Sequence, residues 1–450
     1  MKKLLLLAAA LPSYAFAQAP DRAAELRDAA LGDDVAWNIV EGLTTEIGPR
    51  MAATEAEARA RDWAVAKLKA LGFANVRIEP YAMQGWLRGE ETAEIVSPFP
   101  QKMAVTALGA SASTGPKGIL GEVVGFGSID ALKAAAPEKV KGKIVFVWHR
   151  MAPTQNGSGY AAFGPVRWNA ASIASEKGAA AIVIRSVGTD HHRNPHAGMT
   201  TFAPGVKPIP AGALSVPDAE NLERMLARGR PITMRLTLTP QLTGTRQSGN
   251  VVAEVPGRDP SLPIILIGGH LDSWDLGTGA IDDAAGVAIT TAAAKRIMDT
   301  GRPLRTIRIV WFGAEEVGGL GGKAYRQAHA SEAHALVGES DFGAGRVWQF
   351  TMNTGAGGEA VKARIGAVLA PLGVVASKEE AHAGTDVEPV ADTGTGVLGL
   401  NQDGTRYFDL HHTPDDTLDK VDPEELRQNV AAWTAALAVI AESRDDLRVK

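Results

Sequence analysis

The stretch from Gly268 to Gly286, GGHLDSWDLGTGAIDDAAG, sets a histidine and several carboxylates around a glycine-rich loop, and Ala314-Glu315-Glu316 follows downstream. Imidazole and carboxylate together suit a borderline metal such as zinc, and an adjacent glutamate can serve as base. Two later pieces complete the set: Glu339-Ser340-Asp341 and His411-His412-Thr413-Pro414-Asp415-Asp416-Thr417. The chemistry that set suits is hydrolysis of a peptide bond with two zinc ions.

The elements that must position these residues are legible around them. Ile264 to Gly268 reads as a continuous apolar strand, and His270 and Asp272 fall just past its end. Ligands of open α/β sheets bind there, beyond the carboxyl ends of strands. Asp272 is near enough in sequence to orient the His270 imidazole. Asp282-Asp283 closes the glycine-rich loop ahead of a helix from Ala284. Helix capping is the plain use of such a pair, and it claims Asp283, leaving Asp282 to project back toward His270. Glu315-Glu316 leaves the apolar strand Ile307 to Phe312; two neighbouring carboxylates repel, so the pair is stable only with a cation or proton between them.

Two lookalikes carry nothing. Gly394-Thr-Gly396-Val-Leu-Gly399 matches a dinucleotide fingerprint but leads into a turn, and Gly321-Gly322-Lys323 lacks the first glycine and the Ser or Thr of a phosphate loop.

Composition narrows the classes further. The 450-residue chain has a net charge of -5 with dispersed basic residues, which argues against nucleic acid as a partner. It contains no cysteine, so disulfides, thiolate metal sites and a cysteine nucleophile are excluded. Residues 1–17 read as a signal peptide: Lys2-Lys3, an apolar run from Leu4 to Leu11, and Ala15-Phe16-Ala17 at the cleavage site. The run is too short for a membrane anchor, so a periplasmic or secreted product is expected. Helices are expected over Asp21 to Leu31 and Glu55 to Leu71. From about Thr106 to Pro240 the texture is β-rich, with short helices expected at Asn169 to Lys177 and Pro217 to Ala227; beyond it strands and helices alternate, as in an α/β layer with a largely parallel sheet. The expected organisation is a catalytic domain in two parts, 18–105 and 241–450, with 106–240 inserted.

GGHLDSWD, GAIDDAAG, AEE, ESD and HHTPDDT, in that order, resemble the two-zinc exopeptidases of metallopeptidase family 28, in particular their plasma glutamate carboxypeptidase branch. The resemblance reaches Ile47-Gly48-Pro49-Arg50, Ile184-Arg185-Ser186-Val187 and Pro195-His196, and so covers nearly all of the mature chain. It implies a mixed, largely parallel sheet flanked by helices (the zinc exopeptidase fold) and makes the insertion a protease-associated domain, with Val140 to Val147 as its strand signature. It implies that His270 and Asp341 bind one zinc, Glu316 and His412 the other, and that Asp282 bridges them. Glu315 would be the general base, Asp272 the partner of His270, and Asp283 and Asp416 supporting residues. His412 is preferred to His411 because it directly precedes Thr-x-x-Asp-Thr. His196, His382, Asp386 and Tyr407 are candidates for substrate contact, with His191, His192 and His196 read first as a solvated loop and next as a cap over the site. The implied substrates are short peptides with a free terminus, and the implied assembly is a homodimer without a membrane anchor. Two other readings stay open: a non-catalytic, receptor-like member of the fold, and a single-zinc acyl transferase or cyclase.

Overall fold

The computed structural model describes residues 21–449. The expected signal peptide lies outside them. Ile264–His270, Ile307–Phe312 and His334–Glu339 are almost wholly buried runs. Such strands need cover on both faces, and central strands of a parallel sheet have it. With Gly396–Gln402 they form the parallel centre of a mixed eight-stranded sheet. Its flanks are antiparallel: Ala74–Leu87 and Gln241–Val255 on one side, Val347–Asn353 on the other, with Val375–Ala376 at the far edge.

Alternation along the strands supplies two cores. Ile265, Ile267, Ile307 and Ile309 face helices Ala285–Asp299 and Pro423–Ile440, which bury Ile289 and Trp433. Leu266 and Val310 face the opposite way, toward Tyr325 and Val390. Asp422 starts the Pro423–Ile440 helix by accepting the N–H groups of Glu424 and Glu425. The expected helices over 21–31 and 55–71 are present as Arg22–Ala30 and Glu55–Ala70.

A second eight-stranded sheet is built from Glu91–Ser97 through Thr233–Leu238. It begins earlier than the expected boundary at 106, because Glu91–Ser97 and Gln101–Met103 pair within it. The chain changes sheets at residues 88–90, between the strand that ends at Leu87 and the one that starts at Glu91. It returns beside the same point, with Thr239 N–H donating to the Glu90 carbonyl at 3.0 Å. Both helices expected in this inserted unit are present, as Ser158–Glu176 and Val216–Leu226, the first much longer than expected. Glycines, alanines and Pro165 blur the apolar period of the first, so only its second half, Asn169 to Lys177, was expected to be helical.

Candidate metal centre

Three neighbouring parallel strands end at the same edge, and each delivers part of the site. His270 is the last residue of its strand and is fully buried. Its Nδ1 lies 2.9 Å from the Asp272 carbonyl, an acceptor only, so Nδ1 carries the proton and the Nε2 lone pair is free. That Nε2 lies 3.0 Å from Asp282 Oδ1 and 3.5 Å from Asp341 Oδ1. From the other side, His412 Nε2 lies 3.2 Å from Asp282 Oδ2 and 2.9 Å from Glu316 Oε2. Asp282 therefore stands between two histidine–carboxylate pairs.

The second aspartate of the pair does a different job. Asp283 accepts the N–H of Gly286 at 2.9 Å, at the start of the helix, and the N–H of His270 at 3.0 Å. A Cβ on Gly269 would come within 2.3 Å of its carboxylate, so glycine is needed there to admit it. Asp416 accepts the N–H groups of Ala280 and Ile281, both at 2.7 Å, and holds the loop from behind. Arg50, fully buried, donates to the carbonyls of Leu271, Thr278 and Gly279 at 2.5, 2.6 and 2.8 Å. The loop between His270 and Asp282 is thus fastened to the IGPR segment.

Asp272 meets His270 chiefly through its backbone carbonyl; its carboxylate is 3.7 Å from Nδ1 and instead accepts the N–H of Glu315 at 3.0 Å. Ala314, in the left-handed region at φ 57°, turns the chain so that Glu315 and Glu316 both line the site.

Charge is badly out of balance. Burial, with the charges of Asp341, Glu316 and Asp272, pushes the Glu315 carboxyl well above its usual range. Burial likewise raises Asp283, with Asp341 and Asp282 adding to it, and raises Glu339 to about 8 beside Asp341. Burial opposes a proton on His412, yet Glu316 and Asp282 outweigh it and lift the ring to about 9. Beyond burial, the largest cause for the three carboxyls, the shifts share a second one: neighbouring carboxylates outnumber the cations that face them.

Divalent zinc fits that condition. Asp282 Oδ2, Glu316 Oε1 and Asp341 Oδ1 are buried with no hydrogen-bond partner. A tetrahedron of bonds about 2.1 Å long puts its corners about 3.4 Å apart, and the four N···O separations above run from 2.9 to 3.5 Å. A cavity of about 10 Å³ touches Asp282, Glu316 and His412, the size of a single small occupant. His411 also comes near: its Nε2 is 3.6 Å from Asp282 Oδ2, and its ring stacks on His412 at 3.5 Å.

The site opens into a pocket of about 420 Å³. Glu315, Asp341, Phe342, Tyr407 and Phe408 line it from the main sheet side, and Tyr160, Arg167, Trp168 and Met199 from the inserted unit.

Comparison with known proteins agrees with this geometry. Residues 250–437 match the profile of Peptidase family M28. Bovine (Bos taurus) carboxypeptidase Q is 34% identical over 408 residues, spanning 90% of this chain and 85% of that protein. The chain belongs to peptidase family M28. It is a zinc metallopeptidase, which sets aside the non-catalytic reading. The crystal structure of an M28 peptidase precursor from Shewanella amazonensis superposes with a TM-score of 0.92 at 45% identity, covering 95% of this chain and 97% of that one. A zinc aminopeptidase from Bacillus subtilis shares the fold, with a TM-score of 0.66 at 21% identity over 93% of this chain and 98% of that one.

Among this M28 chain's expected substrate contacts, Tyr407 lines the pocket. Asp386 is buried behind it, with both carboxylate oxygens unpartnered. His382 does not reach the site; it is exposed and lines a separate hollow with Glu380 and Asp392. His196 also fails to face the pocket, because it is buried between Asp190 and the His411 carbonyl. His191 and His192 are exposed, as a solvated loop would be. The pocket residues of the inserted unit, Tyr160, Arg167, Trp168 and Met199, escaped sequence reasoning. The aromatic spacing of Tyr160 and Trp168 was their one available signal.

Proposed function

We propose that the protein is an exported two-zinc exopeptidase that cleaves dipeptides and short peptides with a free terminus. The observation that carries this reading is Asp282, set between two histidine–carboxylate pairs at the floor of a pocket partly walled by the inserted unit. His270 and Asp341 would hold one ion, Glu316 and His412 the other, with Asp282 shared. Bound there, zinc supplies a water of lowered pKa and polarises the scissile carbonyl.

The chain's own residues do the rest. Glu315, on the pocket wall, takes a proton from the attacking water and hands it to the leaving amine. Its raised pKa suits a carboxyl that must hold that proton between the two transfers. Asp272 fixes the backbone of this base, and Asp283 and Asp416 hold the loops that present His270 and Asp282. The pocket volume lies in the range of small-ligand sites, so it admits a dipeptide or the end of a longer peptide and excludes a folded chain. The inserted unit we read as a protease-associated domain, and the assembly as a homodimer.

Free and doubly blocked peptides of equal length, offered to zinc-loaded enzyme, test the reading. Unblocked dipeptides should be cleaved and blocked peptides and intact proteins should resist. Efficient cleavage inside a long, doubly blocked peptide would refute exopeptidase action. Metal analysis should return two zinc ions per chain. Among the described residues no helix is long and apolar enough to cross a membrane, and export predicts a mature N-terminus near residue 18.

A further inference from the structure

The segment Gly188–Met199 of the inserted unit lies across the segment Tyr407–Asp415 and is hydrogen-bonded to it along its length. Thr189 N–H donates to the Phe408 carbonyl at 3.1 Å, and Thr189 Oγ1 to Asp409 at 2.7 Å. Asn194 Nδ2 donates to Asp415 at 2.9 Å. Ala197 and His412 exchange two bonds: Ala197 N–H to the His412 carbonyl at 2.9 Å, and His412 Nδ1 to the Ala197 carbonyl at 3.1 Å. At the centre stands His196, fully buried. Its Nδ1 donates to the His411 carbonyl at 2.7 Å, and its Nε2 is 2.7 Å from Asp190 Oδ1. A side chain on Gly188 would meet that ring at 2.2 Å.

The backbone being held is an unusual one. His412 sits at φ 63°, in the left-handed region that a residue with a Cβ rarely adopts. Such a conformation costs on the order of 1–3 kcal/mol and persists where its surroundings over-determine it. The surroundings here are contributed by another part of the chain, more than two hundred residues away in sequence.

We propose that His196, seated on Asp190, is a positioning residue for the metal centre. By gripping the His411 carbonyl it fixes the His412 backbone, and through it the direction of Nε2 toward Asp282 and Glu316. The inserted unit thereby sets the affinity of one half of the site while the His270–Asp341 half, built on the main sheet, is left alone. The inference rests on the two-metal reading above.

Titration of the metal-stripped full-length protein with cobalt(II), followed by visible absorbance and calorimetry, tests both in order. Wild type should take up two ions; a single ion defeats the two-metal reading before His196 is touched. His196→Phe, which keeps a ring and loses both hydrogen bonds, should weaken one of the two affinities by about tenfold or more, the range for a residue supporting a ligand. The other affinity should hold within about twofold. The weakened ion should be the one that Glu316→Gln also weakens, with the same change in cobalt spectrum. His196→Asn, whose amide can still donate to the His411 carbonyl, should recover most of the loss. Asp190→Asn, a milder change, should shift the same affinity in the same direction and serves if the Phe variant does not fold. Equal weakening of both ions, a lowered melting temperature with both affinities intact, or an Asn variant no better than Phe would each overturn the proposal.

Discussion

His270 and His412 approach the same carboxylate from opposite sides, yet different parts of the molecule hold them. His270 ends a buried central strand, and its following loop is bolted down by Arg50 and Asp416. His412 follows the short helical turn Tyr407–Leu410, in a left-handed conformation, and leans on a segment of the inserted unit. One half of the site is a property of the sheet; the other half depends on docking. Equal-looking ligands should therefore differ in how easily they are disturbed.

Asp282 belongs to both halves, so Asp282→Ala should have the largest effect, removing both ions and reducing hydrolysis to background. Retention of either ion, by metal analysis, would break the symmetry argued for this carboxylate. Glu315→Gln should lower kcat by about a hundredfold or more with metal content near normal, because it removes the base and spares the donors. Full activity with metal bound would show that the base lies elsewhere.

The two halves separate in the histidine variants. His270→Ala and His412→Ala should each lose one ion, and the remaining ion should differ between them. His411→Ala should be the milder change of the double histidine, since Glu316 pairs with His412 alone. Arg50→Ala takes a donor from three loop carbonyls; Gly279 keeps the Ala284 N–H, while Leu271 and Thr278 are each left at a cost of about 1–3 kcal/mol where water cannot replace it. It should lower the melting temperature and weaken the His270 ion, leaving the His412 ion the firmer of the two.

The smallest expected effect lies in the inserted unit. His149 stacks on Phe163 with both ring nitrogens buried and unpartnered, and burial together with Arg185 lowers its pKa to about 3. The folded state keeps this ring neutral, while the unfolded chain takes up a proton below about pH 6.5. Its contribution to stability is thus present above that pH and is lost as pH falls toward 3, at up to about 1.4 kcal/mol per pH unit. His149→Phe should flatten the stability profile of the holoenzyme in that window, as read by denaturant unfolding; an unchanged slope would mean the ring is protonated in the fold.

Much of the sheet-built half could be read in advance, because its parts are local. An apolar run followed by His or Glu-Glu places a side chain at a strand's exit, and a glycine-rich loop before a helix separates a capping Asp283 from a projecting Asp282. The docked half left fewer signs. His196 stands more than two hundred residues from His411, and no short pattern announces that the two will meet. His382, beside Asp386 in sequence, was expected near the substrate; the turn at Gly384, with φ 87°, separates them, sending Asp386 inward and leaving His382 outside. Asp272 illustrates a smaller limit, since sequence spacing cannot say whether a backbone or a carboxylate oxygen will reach the ring.

The neck where Arg88–Glu90 runs beside Thr239 has a consequence for assembly. Strand Ala74–Leu87 must find its partner Gln241–Val255 across roughly 150 intervening residues, and closing so long a flexible loop carries an entropic penalty that shorter loops avoid. A unit that has already folded brings its own two ends together at the neck, and for the waiting strand the gap then behaves as a hairpin turn of a few residues. The insertion is in this sense a staple for the edge of the main sheet, and shortening it within its surface loops should leave that pairing untouched so long as Glu90 and Thr239 still meet.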